Sequence, residues 1–266
     1  MDRQKNVEAH KCALLFFGLP KHFKDIVLPS IRKHIISINP TCDIFVHLYN
    51  ISSTTNPRNK ENSTKLYPDE VYLMSEATKI VSENMDEFSQ QHDVFFYRKY
   101  FPPRQSWSFP ISIDNMIKQW HSIAQVWKQM VLHETYMTRK ENTDNSVFQY
   151  RNVGIFRSDV LYTNDINITD GSAVTACFNY GFKNDRYKTN DRIFYGLRSY
   201  AEKWATGRFG YVKEYMKTEF GARVRLHSES FVSHMISHFN LKMQYRNICF
   251  KRVRATGHIR SKDCQQ

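Results

Sequence analysis

The sequence predicts an α/β fold: a single domain, residues 1–266, whose central sheet is mostly parallel and covered by helices. Three observations carry that prediction. "CALLFFGLP", Cys12–Pro20, is apolar until Gly18 and Pro20 stop it, as a strand buried on both faces must be. "CDIFVHLYN", Cys42–Asn50, is a second such run, and "FKDIVLPSIRKHIISI", Phe23–Ile38, between them carries apolar residues at helical spacing, which completes a strand, helix, strand unit. Finally, 266 residues with 41% hydrophobic and 14% aromatic content suffice for a sizeable core.

The remaining elements follow in chain order. Residues 1–10 read as a flexible N-terminus, and Pro29 opens or kinks the first helix. Residues 51–65, "ISSTTNPRNKENSTK", are polar and read as a surface loop with no chemistry of their own. "VYLMSEATKIVSENMDEFSQQ", Val71–Gln91, reads as one helix or two short ones, and "DVFFYRKY", Asp93–Tyr100, as a strand. Pro102, Pro103 and Pro110 make "FPPRQSWSFP" irregular, because they remove donors and fix φ. The strongest helix runs from Ile113 to Tyr136, with Met116, Trp120, Ile123, Val126, Trp127 and Met130 on one face. "VGIFRSDVLY", Val153–Tyr162, follows as a central strand, and "SAVTACFNYGF", Ser172–Phe182, as another. An Asn, Asp and Arg-rich loop then leads into the aromatic "RIFYG". The helix in Leu197–Phe220 is expected to break near Gly207 and Gly210, and Ser228 to cap a last helix over Ser228–Leu241. A basic tail with alternating apolar residues reads as a final strand and extension. No internal repeat or interdomain linker stands out.

Lysine plus arginine exceed the acids by 38 to 26, a net charge of +12 with a pI near 9.4, which favours an anionic partner. Nucleic acid, a membrane surface and a phosphorylated small molecule all qualify, and a merely solvated basic surface competes with them. The five cysteines, Cys12, Cys42, Cys177, Cys249 and Cys264, are far apart and odd in number, which predicts free, mostly buried thiols. The apolar run near the N-terminus is too short for a signal segment or a membrane span. Asn50, Asn62 and Asn167 lie in N-x-S/T triplets, which matter only in a secretory lumen.

Four clusters can carry chemistry. Arg157 and Asp159 fall at the end of a strand, where an aspartate can hold Mg²⁺ or Mn²⁺ and an arginine can grip phosphate; an ordinary ion pair is the alternative. Asn190, Asp191 and Arg192 can bind sugar hydroxyls, or form a turn. His227 and Glu229 open a helix, where Glu229 is either a first-turn charge or a carboxylate base. Lys251, Arg252, Arg254, His258 and Arg260 can neutralise a diphosphate or a polyanion. No zinc finger, RNP signature, P-loop, G-x-G-x-x-G, H-E-x-x-H or G-x-S-x-G is present, which removes most familiar nucleic-acid readers and enzyme classes.

Taken in order, "ALLFFGLPKHFKDIVLPSI", "NPTCDIFVHLY", "NMIKQWHSIAQVWKQM", "YRNVGIFRSDVLY", "NDRIFYG", "HSESFVSHMISHFNL" and "ICFKRVRATG" resemble little-characterised glycosyltransferases of the GT-A type, including algal and large-virus sequences and the WavE family of lipopolysaccharide synthesis. The resemblance implies a Rossmann-like α/β/α domain that takes a UDP- or GDP-sugar and passes the sugar to a glycan or other hydroxyl acceptor. It places "RSD" at the D-x-D position, so that Asp159 would bind Mn²⁺ or Mg²⁺ with His227 or His258, although Arg157 stands where the first carboxylate belongs. Glu229, or else Asp191, would be the general base. Gly18, Gln119 and Ser122 would shape the nucleotide pocket. Asn190, Arg192 and Gly196 would border the sugar, and Arg157, Arg252 and Arg254 the diphosphate. Nucleic acid is not an expected partner on this reading, whereas a non-enzymatic polyanion binder and an inactive GT-A fold are the rivals. The location implied is the cytoplasm, or a lumen if the chain is part of an anchored parent.

Overall fold

The computed structural model describes residues 11–103, 107–140, 147–176 and 189–264, apart from the side chains of 262 and 264. Its strands are β1 (Cys12–Phe17), β2 (Asp43–Tyr49), β3 (Ser53–Asn56), β4 (Glu61–Lys65), β5 (Lys79–Glu83), β6 (Asn152–Arg157), β7 (Val160–Tyr162), β8 (Ala173–Ala176), β9 (Ile193–Leu197), β10 (Gln244–Arg246) and β11 (Phe250–Arg252). Seven of them form one sheet in the order β10-β8-β9-β6-β1-β2-β5, in which only β9 runs antiparallel to its neighbours. β3 pairs with β4, and β7 with β11, as separate antiparallel ribbons. The mixed α/β class and the mostly parallel sheet agree with the sequence expectation.

Helices cover both faces. On one lie α4 (Ile111–Lys140), α5 (Arg198–Lys217) and α7 (Ser228–His238), whose apolar stripes join Ala13, Leu15 and Phe17 of β1 in a common core. On the other, α1 (Leu28–Ile31), flanked by π-helical turns at Phe23–Val27 and Arg32–Ile36, packs with Cys12, Leu14 and Phe16. Alternate residues of β1 thus feed two cores, which is why its sequence is apolar without interruption. Pro29 sits in the first turn of α1, where its missing N–H costs nothing. Among the described residues no helix is long and apolar enough to cross a membrane.

Several local expectations are corrected. Residues 93–100 are not a strand but contain α3 (Val94–Arg98), because Asp93 accepts from Phe96 N at 3.2 Å and Phe96, Tyr97 and Tyr100 pack on the core. Residues 71–91 hold an unpredicted edge strand, β5, before α2 (Met85–Gln91), whose first turn is capped by Asn84. An edge strand is half solvated, so its polar Lys79 and Ser82 hid it. Residues 51–65 form the β3–β4 hairpin, held by the buried Glu61 carboxylate, which accepts from Lys21 Nζ at 3.1 Å and Ala255 N at 2.7 Å. α5 runs unbroken through both of its glycines. Ser228 is the first residue of α7 and His227 occupies the cap position; α6 (Glu219–Val224) precedes them.

The free-thiol expectation fails for three of the five cysteines, while Cys177 and the side chain of Cys264 lie outside the described residues. Cys12 and Cys42 form a disulfide, and Cys249 is disulfide-bonded too. Parallel pairing sets Ala13 opposite Asp43, so the two preceding residues meet at the strand mouths with their Cα atoms 4.6 Å apart.

Candidate active site

From β1 the chain steps to β2 and β5, then returns through α4 to enter β6 on the other flank of β1. The strand order therefore reverses between β1 and β6, and a crevice opens beyond their carboxyl ends. A cleft of about 810 Å³ occupies that place. Its floor is Gly18 and Arg157 at the strand ends. The β3–β4 hairpin, the first turns of α4 and α7, and the segment after β11 form its walls.

Arg157 and Asp159 meet here as a bidentate pair. Nε donates to Asp159 Oδ1 at 2.7 Å and Nη2 to Oδ2 at 2.6 Å, with the carboxylate buried. Burial alone would raise the Asp159 pKa, but the Arg157 charge and hydrogen bonds outweigh it and hold it below the ordinary value. The same arginine reaches Gln119 Oε1 at 3.4 Å, and Gln119 Nε2 donates to Asp191 Oδ2 at 3.2 Å. Ser228 Oγ donates to that Asp191 oxygen at 2.5 Å, which ties α7 to the loop before β9.

Glu229 lies one residue further along α7. It is buried, with Arg192 Nη2 3.3 Å from Oε1 and His227 Nε2 3.6 Å from Oε2. Burial first, and the nearby Asp191 charge second, raise its pKa. Asp191 goes the other way, because Arg192 and the Ser228 hydrogen bond outweigh its burial. Two neighbouring carboxylates with opposite shifts are a common arrangement for acid and base work.

The walls are strongly basic. Eight lysines and arginines line the cleft against five carboxylates. Arg252 is neutralised by Asp263, to which it donates from Nε and Nη2 at 2.8 Å. Arg58 and Arg254 have no such carboxylate partner among the described residues. Burial and then the Arg252 charge lower both, Arg254 to about 10.

Eleven of the sixteen residues singled out from sequence line this cleft: Gly18, Gln119, Arg157, Asp159, Asp191, Arg192, His227, Glu229, Arg252, Arg254 and Arg260, whereas Lys251 does not. Ser122 and Asn190 stand just behind it. Ser122 Oγ accepts from Gly18 N at 3.0 Å, and Asn190 Oδ1 from Arg192 N at 2.9 Å. Gly196 and His258 are elsewhere; Gly196 has φ 146°, and a Cβ there would sit 2.2 Å from the Ser172 carbonyl oxygen, so its role is close packing of β9. The sequence reading missed Lys21, which follows the carboxyl end of β1, and Arg58 and Glu61, which reach the cleft because the polar hairpin borders it. No periodic signal marks such residues.

Asp159, His227 and His258 do not gather into a metal-ligand group among the described residues, and both Asp159 oxygens are already taken by Arg157. One buried group there has the geometry to hold a metal ion, and it lies outside the cleft: His47, Glu83 and His121. No protein-family model matches the chain, and no curated protein matches it.

Proposed function

We propose that the protein is a nucleotide-sugar-dependent glycosyltransferase of the GT-A type, whose donor diphosphate is held by arginines. The observation that carries this reading is that Arg58 and Arg254, two guanidiniums without a carboxylate partner among the described residues, line the same cleft as the buried Glu229, at the reversal of strand order. Arginine favours phosphate because its planar fork donates two parallel hydrogen bonds and stays charged. The base of the nucleotide would enter over Gly18, whose φ of 103° turns the backbone there.

In the reaction, an acceptor hydroxyl oxygen attacks the anomeric carbon and its proton passes to the Glu229 carboxylate. The bond to the donor phosphate breaks with its electron pair on oxygen, and Arg254 and Arg58 meet the developing charge. Mn²⁺ or Mg²⁺ at Asp159 would require Arg157 to release the carboxylate first, so no step here uses one. The disulfides, together with exposed Asn50, Asn62 and Asn167 in their triplets, favour a secretory lumen over the cytoplasm.

A thermal-shift panel of UDP, GDP and their sugars, with and without Mn²⁺, tests the reading. A midpoint rise with one nucleotide diphosphate, undiminished without Mn²⁺ and reduced in Arg254→Ala, is expected. No shift with any nucleotide, alongside salt-sensitive DNA or heparin binding, would replace it with a polyanion binder.

A further inference from the structure

A second cluster of chemistry-bearing side chains lies behind the cleft wall, and the glycosyltransferase reading does not use it. His47 on β2, Glu83 at the end of β5 and His121 on α4 are 0%, 5% and 2% exposed, and their donor atoms all fall within 4.8 Å of one another. Both imidazole Nε2 atoms converge on the same carboxylate oxygen, Glu83 Oε2, at 2.8 Å from His47 and 2.7 Å from His121.

The far nitrogen of each ring is also held. His47 Nδ1 is 2.8 Å from Ser122 Oγ, and His121 Nδ1 is 2.8 Å from His92 Nε2. Around them stand Tyr49 and Phe88, and Phe209 stacks on His92 with centroids 4.3 Å apart. Three donors from three separate elements, each ring fixed by an outer partner, inside an apolar shell, is how metal-ligating histidines are arranged. No lysine or arginine pairs with Glu83 among the described residues; its hydrogen-bond partners are these two imidazoles and Gln91.

We infer that His47, Glu83 and His121 form a site for a zinc-type divalent cation, distinct from the cleft, that clamps β2, β5 and α4 together. Two nitrogen donors and one carboxylate suit zinc and its transition-metal neighbours and are poor for Mg²⁺ or Ca²⁺, which take oxygen. Binding moves each ring proton to Nδ1, where it is donated to Ser122 Oγ or to His92 Nε2, and leaves both Nε2 lone pairs for the metal. Tetrahedral bonds of about 2.0–2.1 Å place donors roughly 3.3 Å apart, so the present contacts open by about half an ångström, which side-chain torsions can supply. Because Ser122 Oγ also accepts from Gly18 N, the clamp reaches the floor of the cleft without touching a ligand there.

The test is metal content after gel filtration of protein exposed to equimolar zinc, with the visible spectrum of the Co²⁺-substituted protein. About one metal per chain and intense tetrahedral Co²⁺ bands are expected in wild type and in Arg254→Ala, and loss of both in Glu83→Gln and His121→Gln. Should those two fail to fold, His92→Gln, outside the ligand set, is expected to weaken zinc binding by about ten- to a hundredfold. Wild-type protein that takes up no zinc and gives no Co²⁺ band would reduce the cluster to a hydrogen-bonded network. Full metal content in a folded Glu83→Gln would equally overturn the site. Neither readout depends on transferase activity or on a nucleotide.

Discussion

At the residue scale, Arg157, Asp159 and Glu229 were legible because a charge at the end of an apolar strand or the start of an amphipathic helix interrupts a pattern. Their partnerships were not legible, since the same two letters, Arg157 and Asp159, serve a metal site or an ion pair equally well. The structure chooses the pair, and the choice has a stability consequence: Asp159→Ala strands a mostly buried guanidinium, with an expected loss of about 3 kcal/mol in denaturant unfolding. The depressed Asp159 pKa fixes the sign with pH. Its contribution is present above the unfolded-state value and is lost as pH falls through the lower folded one, so the variant loses part of the acid-side decline. Glu229 behaves oppositely. As a base it must be ionised, and its raised pKa puts the acid limb of the rate profile above the usual glutamate range, with rate rising as pH rises. Glu229→Gln is expected to cut sugar transfer by about a hundredfold or more, abolish that limb and leave the nucleotide thermal shift in place.

At the element scale, long periodic or fully apolar segments were readable: β1, β2, β6 and α4 stand where the sequence put them. Elements whose fold depends on distant partners were not. β5 is an edge strand, the β3–β4 hairpin hangs on one buried carboxylate, and α3 is set by a cap against a β-prone aromatic run. The glycines of α5 mislead for a related reason. Helix propensity treats Gly207 and Gly210 alike, yet a Cβ at Gly207 would lie 2.6 Å from the Phe239 ring, whereas one at Gly210 meets nothing within 4 Å. Gly210→Ala is therefore expected to stabilise the protein by about 0.5–1 kcal/mol, the ordinary helical gain. Gly207→Ala should lose that gain and more by displacing Phe239. Equal effects of the two in urea unfolding would contradict the packing of α5 against the end of α7.

At the scale of the whole molecule, the parallel sheet, its helical layers and a cleft at the reversal of strand order could be anticipated from strand, helix, strand spacing. Covalent closure could not, because five scattered cysteines do not reveal which of them the register brings together. Cys12 and Cys42 are 30 residues apart in sequence and become neighbours only through the pairing of β1 with β2. Closing a loop of that length removes denatured-state entropy worth roughly 3–4 kcal/mol at 25 °C in the chain-entropy account, a large share of the stability of an ordinary domain. Cys42→Ser under non-reducing conditions should therefore lower the unfolding free energy by about that amount. The core packing of β1 and β2 does not depend on sulfur, so the folded variant should keep its nucleotide thermal shift. Dithiothreitol should bring wild type down to at least the level of the variant, and further if reducing the Cys249 bridge adds its own loss. If the variant and wild type unfold alike, the sheet alone already holds the two strand mouths together in the denatured ensemble, and the constraint must be sought in the bridge at Cys249 instead.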